Sequence, residues 1–145
     1  MSIESDRSSV VELIHRYAMI CDLKEYDEVP RVFAADATID FSALSDYVGD
    51  DVAAHGHADI RRFLERFTGG RPCMHYMQNH VVDLDGDVAT MRNYMHNTNS
   101  SICGLYHSSG RRDVDGWRLT YLRLEPRIID PDRVPTLPDS ARPVR

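Results

Sequence analysis

The sequence predicts one α+β domain in which three N-terminal helices pack on one face of a curved, mostly antiparallel sheet. Apolar residues at helical spacing dominate the first half, and runs of alternating character fill the second half from Cys73 onward. Asp85-Gly86 and Asp115-Gly116 supply tight turns between antiparallel strands. Helices followed by long antiparallel strands are typical of a layered α+β fold, here a cone with an open mouth.

Three helices are predicted from apolar side chains three and four residues apart. The first spans about residues 3–21 and buries a stripe that includes Tyr17. The second spans about 26–34, with Pro30 tolerated in its first turn. The third spans about 57–68, and Gly69-Gly70 ends it. A strand at 37–42 and a loop at 43–56 connect the second helix to the third.

Four longer strands are predicted at residues 74–84, 87–98, 103–114 and 117–129. In the first of these, strict alternation places His75, Met77, Asn79 and Val81 on one face. A face that mixes polar side chains with Met and Val suits a pocket better than a packed core. The domain is therefore expected to cover residues 1–129. Five of the seven prolines follow Glu125, so residues 130–145 are expected to form an extended tail.

Composition and charge exclude several classes of function. The net charge of −6, from 17 basic and 23 acidic residues, argues against nucleic acid as the main partner. The three cysteines are widely spaced without a Cys-x-x-Cys pair, which predicts reduced thiols and no zinc ribbon. No signal peptide and no stretch long enough to cross a membrane is visible. A cytoplasmic protein without a membrane partner is expected.

Several short motifs occur in a characteristic order over residues 3–128. They are Tyr17-x4-Asp22, Phe33-Ala34-Ala35-Asp36-Ala37, Gly56-x3-Ile60-x2-Phe63, His75-x3-Asn79, Asp85-Gly86-Asp87-x-Ala89 and Asp115-Gly116-Trp117-Arg118-Leu119. In this order the chain resembles the SnoaL-like branch of the NTF2-like superfamily, and within it scytalone dehydratase and the bile-acid 7α-dehydratases. The resemblance implies a cone-shaped barrel with a pocket between helices and sheet, a cofactor-free active site, and a homodimer or homotrimer.

The resemblance also implies catalytic roles for Tyr17, Asp22 and His75, and a second pocket histidine at His96. The chemistry of these side chains is consistent with such roles. Histidine titrates near neutral pH and suits a general base, an aspartate can fix its tautomer, and a phenol can donate to a developing enolate oxygen. Alternatively, Tyr17 packs in the core, Asp22 caps a turn, and His75 is a buried structural histidine.

Three further residues are expected to contact the substrate: Asn79 and Met77 on the predicted pocket face, and Tyr121 on the last strand. Metal binding is considered at His55-Gly56-His57, because two histidines in this spacing face the same way on a strand. A glycine at a predicted loop-to-helix junction argues against such a strand. Surface histidines, and no metal or cofactor, are therefore expected.

The sequence thus predicts a lyase (dehydratase) or isomerase that acts on a small hydrophobic oxygenated molecule, polyketide-like or steroid-like. The fold alone does not select a reaction. A polyketide cyclase or epoxide hydrolase would use a carboxylate, Asp22 or Asp40, to activate water or a ring-closing carbon. A non-catalytic binding protein would keep the cone without the chemistry. A sheet face used mainly for self-association is a further alternative.

Overall fold

The computed structural model describes residues 2–98, 102–130 and 132, and it confirms the predicted α+β class. The helices are α1 (Ile3–Leu23), α2 (Val29–Val32), α3 (Ser45–Val48) and α4 (His57–Thr68). The strands are β1 (Phe33–Asp40), β2 (Ala53–His55), β3 (His75–Asp85), β4 (Val88–Asn97), β5 (Ile102–Asp113) and β6 (Gly116–Ile129). The helix α4 and the four long strands lie within one or two residues of their predicted positions.

The six strands form one sheet in the order β2-β1-β6-β5-β4-β3. Neighbours are antiparallel except β1 and β6, which pair in parallel. The helices cover one face, called the inner face, and the core lies between them. The opposite, outer face exposes side chains such as Tyr76 and Tyr94. This arrangement is the layered fold that the element order predicts.

The helix α1 forms because its apolar side chains line up on one side. Val10, Leu13, Ile14, Tyr17 and Cys21 are all buried, as their spacing predicts. Ser2 caps the start by accepting a backbone hydrogen bond from the first turn, and Lys24 ends the helix in a left-handed conformation. The predicted helix is therefore extended by two residues, which places Asp22 in its last turn, beside β3.

The predicted second helix, over residues 26–34, is shorter than expected. Residues Tyr26–Glu28 form a 3-10 turn, α2 is a single turn, and β1 begins at Phe33 instead of residue 37. Phe33 is already part of the sheet because it pairs with Leu119 of β6. The segment predicted as a loop, 43–56, contains α3 and the short strand β2, which pairs with the end of β1.

The hairpin predicted at Asp85-Gly86 is confirmed. Asp85 pairs with Val88, and Gly86 between them has a φ angle of 58°, a left-handed conformation that glycine adopts without strain. Nothing stands within 4 Å of the position a side chain would take at Gly86, so the backbone conformation alone selects glycine here.

A bulge interrupts β3 at Asn79. The register with β4 shifts between Gln78 and Val81, and Asn79 has a φ angle of 56°. An extra residue in one strand reverses the face to which the later side chains point. His75 and Met77 are partly buried on the inner face, whereas Asn79 and Val81 are exposed. The prediction that these four side chains share one face is wrong, because it assumed an uninterrupted strand.

A buried acid joins the start of α1 to the β5–β6 hairpin. The Oδ1 atom of Asp6 accepts hydrogen bonds from the indole of Trp117 at 3.0 Å and from the guanidinium of Arg112 at 2.7 Å. These bonds hold the pKa of the Asp6 carboxyl below its ordinary value, and the bond from the indole has the largest effect. Arg112 also contacts Asp87 at 2.8 Å, so the network reaches the β3–β4 turn.

No helix in the described part of the chain is long and apolar enough to cross a bilayer. The proline-rich tail predicted at residues 130–145 lies, apart from residues 130 and 132, outside the described residues. The tail and its boundary with the domain stay predictions.

Candidate active site

A cavity lies between the helices and the inner face, at the end of the sheet where β3 begins and β4 ends. Most of the lining is apolar: Phe41, Leu44, Val48, Leu64, Phe67, Met95, Ile102 and Leu124. The polar side chains of the lining are Tyr17, Thr68, Arg71, Cys73, His75, Asn97 and Tyr106. An apolar wall with a few polar groups is typical of a small-molecule site.

Asp22 and His75 form a hydrogen-bonded pair at this cavity. The imidazole Nδ1 lies 2.6 Å from Asp22 Oδ1, and the backbone N–H of His75 donates to Asp22 Oδ2 at 2.9 Å. The side chains are 6% and 15% exposed for His75 and Asp22 respectively. Because Nδ1 faces a carboxylate, it carries the ring proton, and Nε2 is left with a lone pair. The sequence predicted both residues, and the structure brings them into contact.

Asn97 contacts the other side of the same ring. Its Nδ2 atom lies 3.2 Å from His75 Nε2 and donates to it in the tautomer that Asp22 selects. Asn97 stands directly opposite His75 across the β3–β4 ladder. It is a site residue that the sequence reasoning missed.

His96 was expected in the pocket from the resemblance, whereas the structure places Asn97 there. Strand β4 alternates without interruption, so Asn97 points inward with Met91 and Met95, and His96 points outward. The extra residue at Asn79 shifts β3 by one position, which turns His75 inward and places it opposite Asn97 instead of Thr98. A single asparagine inside a strand sequence that lacks glycine does not by itself predict a left-handed residue at this position.

Two tyrosines meet at the inner wall of the cavity. The hydroxyl oxygens of Tyr17 and Tyr106 are 3.3 Å apart, the rings pack edge to face, and each residue is 1% exposed. Burial raises the pKa of both phenols, so both are neutral at neutral pH. One hydroxyl donates to the other, and the Tyr17 hydroxyl also has the Cys21 thiol as a hydrogen-bond partner. Tyr17 was predicted, whereas Tyr106 required knowledge of the register of β5.

Arg71 supplies a positive charge to the lining. Its guanidinium donates to the carbonyl of Phe67 at 2.6 Å, and burial lowers its pKa. A guanidinium remains protonated at neutral pH despite such a shift. The lining therefore combines an imidazole, two phenols and a guanidinium in an apolar cavity.

A candidate metal site consists of Asp22, Cys73 and His75, because one ligand atom from each residue lies within 4.8 Å of the others. Zinc accepts such a ligand set. However, the imidazole and the carboxylate are already bonded to each other, and the Lys24 ammonium lies 3.4 Å from the Cys73 sulfur. Burial raises the pKa of the Cys73 thiol, which disfavours the thiolate that a metal needs. The arrangement fits an acid–base pair better than a metal centre.

Two of the predicted substrate contacts lie on the outer face, away from this cavity. Tyr121 donates to Asp40 at 3.1 Å on that face. His96 is exposed there, and its ring centroid lies 6.5 Å from that of Tyr76. Both predictions are corrected: inner-face positions on β4 and β6 are occupied by residues such as Met95 and Leu122.

The other two predicted contacts also lie outside the described lining of the cavity. Asn79 is exposed at the bulge. Met77 points inward, but its sulfur accepts a hydrogen bond from Asn93 at 3.6 Å and packs against the core. The two histidines of the His55-Gly56-His57 motif bond to different groups and do not face each other as a metal pair would. His57 bonds to the carbonyl of Phe33, and His55 bonds to Thr38.

The SnoaL-like domain family matches residues 4–123, and the chain belongs to this family. Its relatives include the uncharacterized protein Rv2910c of Mycobacterium tuberculosis, 30% identical over 79% of this chain and 81% of that protein. The structure is also similar to the Kfla4162 protein of Kribbella flavida, with a TM-score of 0.78 and 27% identity over 92% of this chain and 99% of that one.

Two further neighbours share the fold at lower identity. A scytalone dehydratase-like protein of Novosphingobium aromaticivorans has a TM-score of 0.71 and 16% identity, and the match covers 94% of each chain. The hexachlorocyclohexane dehydrochlorinase LinA-type3 of Novosphingobium barchaimii has a TM-score of 0.72 and 14% identity over 97% of this chain and 95% of that one. Both share the fold of this chain.

Proposed function

We propose that this protein is a lyase that eliminates water from a small hydrophobic ring ketone, with His75 as the general base. The observation that supports this proposal most directly is the Asp22–His75 pair at the wall of an apolar cavity. A carboxylate behind Nδ1 stabilises the imidazolium that forms when Nε2 accepts a proton. The carboxylate therefore favours the tautomer in which Nε2 can accept a proton.

The proposed reaction begins with transfer of a proton from the carbon beside the carbonyl to His75 Nε2. The electron pair of the broken C–H bond then forms an enolate. As the enolate collapses, a C=C bond forms, the C–O bond at the β-carbon breaks, and the departing oxygen takes the proton from the imidazolium. The products are an unsaturated ketone and water, and His75 returns to its neutral form. The same imidazole thus serves as base and then as acid.

The phenol pair would stabilise the enolate oxygen. Tyr17 and Tyr106 are fixed by packing, and the hydroxyl that does not donate within the pair would donate to the substrate. A donor held in place in an apolar site lowers the barrier without reorganisation, by about 3 kcal/mol in comparable oxyanion sites. Arg71 adds a positive charge that favours negative charge on the substrate. With a β,γ-unsaturated ketone the same base would form a dienolate, and return of the proton to the γ-carbon would make the protein an isomerase.

The carboxylate alternatives receive less support from the geometry. Both oxygens of Asp22 accept hydrogen bonds from His75, so neither is free to activate water. Asp40 accepts from Tyr121 and from the backbone N–H of Ser42, and it does not line the cavity. A cyclase or epoxide hydrolase that depends on either carboxylate would need these bonds to break. A binding protein without catalysis would have no need for the dyad.

Turnover of a panel of β-hydroxy ring ketones, followed by absorbance of the unsaturated product, tests the proposal. We expect His75→Ala to lower kcat by about 10²- to 10⁴-fold, the usual contribution of a general base. Asp22→Asn should lower it by up to about 10⁴-fold, because the amide selects the wrong tautomer. Asp40→Asn is the matched control and should keep wild-type turnover.

Two outcomes would contradict the mechanism. Equal turnover in wild type and His75→Ala would exclude the imidazole as the base. Loss of activity in Asp22→Asn with most activity retained in His75→Ala would instead support a carboxylate mechanism. Thermal unfolding of each variant, measured by circular dichroism, separates loss of catalysis from loss of fold.

A further inference from the structure

Two histidines meet outside the cavity, where α1 passes over β3. The Nε2 atoms of His15 and His80 lie 3.2 Å apart, although 65 residues separate them in the chain. Their ring centroids are 4.8 Å apart, and the ring planes are inclined by 76°. Neither ring lines the candidate active site.

The distance between the two nitrogens matches the spacing of two ligands on one metal ion. Imidazole nitrogens bind Zn²⁺ at about 2.0–2.1 Å, and two of them on a tetrahedral ion are then about 3.3 Å apart. Nε2 is the outermost nitrogen of each ring, so both lone pairs can point into the space between helix and strand. Without a metal, an N–H···N hydrogen bond satisfies the same pair.

The surroundings of His80 favour the neutral form of its ring, which is the form that binds a metal ion. Burial, followed by the proximity of His15, lowers the pKa of His80. Close to His15 on α1, the charges of Glu12 and Arg16 are paired with each other at 3.3 Å. No third ligand-type side chain joins the two histidines in the described ranges 2–98, 102–130 and 132, so water would complete the coordination.

The backbone on both sides of the pair is held in place. Arg7 donates to the carbonyl of Val82 toward one end of the contact between α1 and β3. The Asp22–His75 pair closes the other end, seven residues beyond His15 along the helix. Seven residues are two helical turns, so His15 and Asp22 face the same strand. A site fixed on a helix and a strand loses little entropy when a ligand binds.

We propose that His15 and His80 form a two-histidine site for a borderline divalent metal ion such as Zn²⁺. Imidazole is a preferred ligand of Zn²⁺, Ni²⁺ and Cu²⁺. The bound ion would join α1 to β3 between the Arg7 contact and the catalytic dyad. Because the ion binds only the folded arrangement, it would raise the melting temperature of the protein.

Isothermal titration with Zn²⁺ tests the proposal on four variants of the full chain. His15→Ala and His80→Ala should each weaken the binding of one equivalent by at least about tenfold, since either change removes the second contact of a chelate. His96→Ala, which removes an exposed histidine of the outer face, should bind like wild type. Cys73→Ser should also bind like wild type, because the proposed site does not use the cavity cluster.

Three results would overturn the site. They are no Zn²⁺ binding by wild type up to roughly 1 mM, unchanged affinity in both His15→Ala and His80→Ala, and loss of binding in Cys73→Ser alone. The last result would assign the ion to Asp22, Cys73 and His75, and a sulfur-to-metal absorption band with Co²⁺ would identify it. Melting curves without metal show whether each variant is folded, so a loss of affinity is read only from folded protein.

Discussion

Each polar side chain of the site is held by a specific partner. Asp22 uses both carboxylate oxygens on His75, which fixes the orientation of the ring as well as its tautomer. The bond from Asn97 to Nε2 is longer, at 3.2 Å, than the 2.6 Å contact with Asp22. A substrate can therefore replace Asn97 at Nε2 at small cost, while the carboxylate stays in place.

The phenol pair leads to a prediction about coupling. Tyr17→Phe should lower kcat by about 100-fold if its hydroxyl contacts the enolate oxygen. Tyr106→Phe should also lower kcat, because a donor to Tyr17 polarises its O–H. Since both changes act on one hydrogen-bonded pair of hydroxyls, kcat of the double variant should be little lower than kcat of the less active single variant. Measured kcat values for all three variants check this, and losses that multiply would show that the hydroxyls act independently.

The residues predicted from sequence differ in how far they depend on distant structure. Tyr17, Asp22 and His75 were expected as a group from the resemblance, and the helical spacing itself predicted only that Tyr17 lies on the buried side of α1. Asn97 was missed because its contact with His75 depends on the shift of β3 at Asn79. Tyr121 was misplaced because the register of β6 with β5 shifts between Leu119 and Tyr121. His96 was expected only from the resemblance. Catalytic roles for these residues stay predictions.

At the level of elements, α1 determines the geometry of the site because it contributes both Tyr17 and Asp22. The end of α1 is joined to β3 through His75, and its start is joined to the β5–β6 hairpin through Asp6. Asp6 lies about three helical turns from Tyr17, so a change at Asp6 should alter the stability of the fold more than catalysis.

Asp6→Asn should lower the melting temperature at neutral pH, because Arg112 loses one of its two charged partners. The folded-state pKa of Asp6 lies below the ordinary value of 3.8. Its carboxylate therefore stabilises the fold above that value, and the contribution is lost as the pH falls through the folded pKa. The difference between wild type and variant should be present at pH 5–7 and shrink toward pH 3. A difference that grows in acid would contradict this account.

The helix α4 and the long strands β3 to β6 have strong local sequence patterns and were predicted well. The strand β2 and the start of β1 depend on pairing within the sheet and were not. The helix α4 was predicted at its exact span because four aromatic or aliphatic residues repeat at helical spacing before Gly69. The strand β2 has three residues and exists because β1 offers an edge for pairing. The start of β1 was predicted too late because its first contact is with β6, more than 80 residues away.

For the whole molecule, the fold class followed from the order of helices and strands. The curved sheet and its cavity depend on the parallel pairing of β1 with β6, which no local pattern shows. A match of the family over residues 4–123 supports the same architecture. The fold alone does not select a reaction, so the proposed chemistry depends on the side chains in the cavity.

Self-association as a homodimer or homotrimer stays a prediction. The outer face exposes Tyr76, Val81 and Tyr94 by 46%, 49% and 53% respectively, and these side chains project from the neighbouring strands β3 and β4. Contiguous apolar surface of this kind is a common feature of protein interfaces. We expect a second copy to cover it, and light scattering of the full chain measures the mass directly.

Exchange of substrate protons in D₂O tests the central claim most directly, since it requires the base alone and no leaving group. Ring ketones are incubated with the protein, and loss of the signal of the proton beside the carbonyl is followed by NMR. Wild type and His96→Gln should exchange this proton at equal rates, and His75→Gln should be slower by about 10²-fold or more. Exchange by folded His75→Gln at the wild-type rate would contradict the assignment of the imidazole as the base.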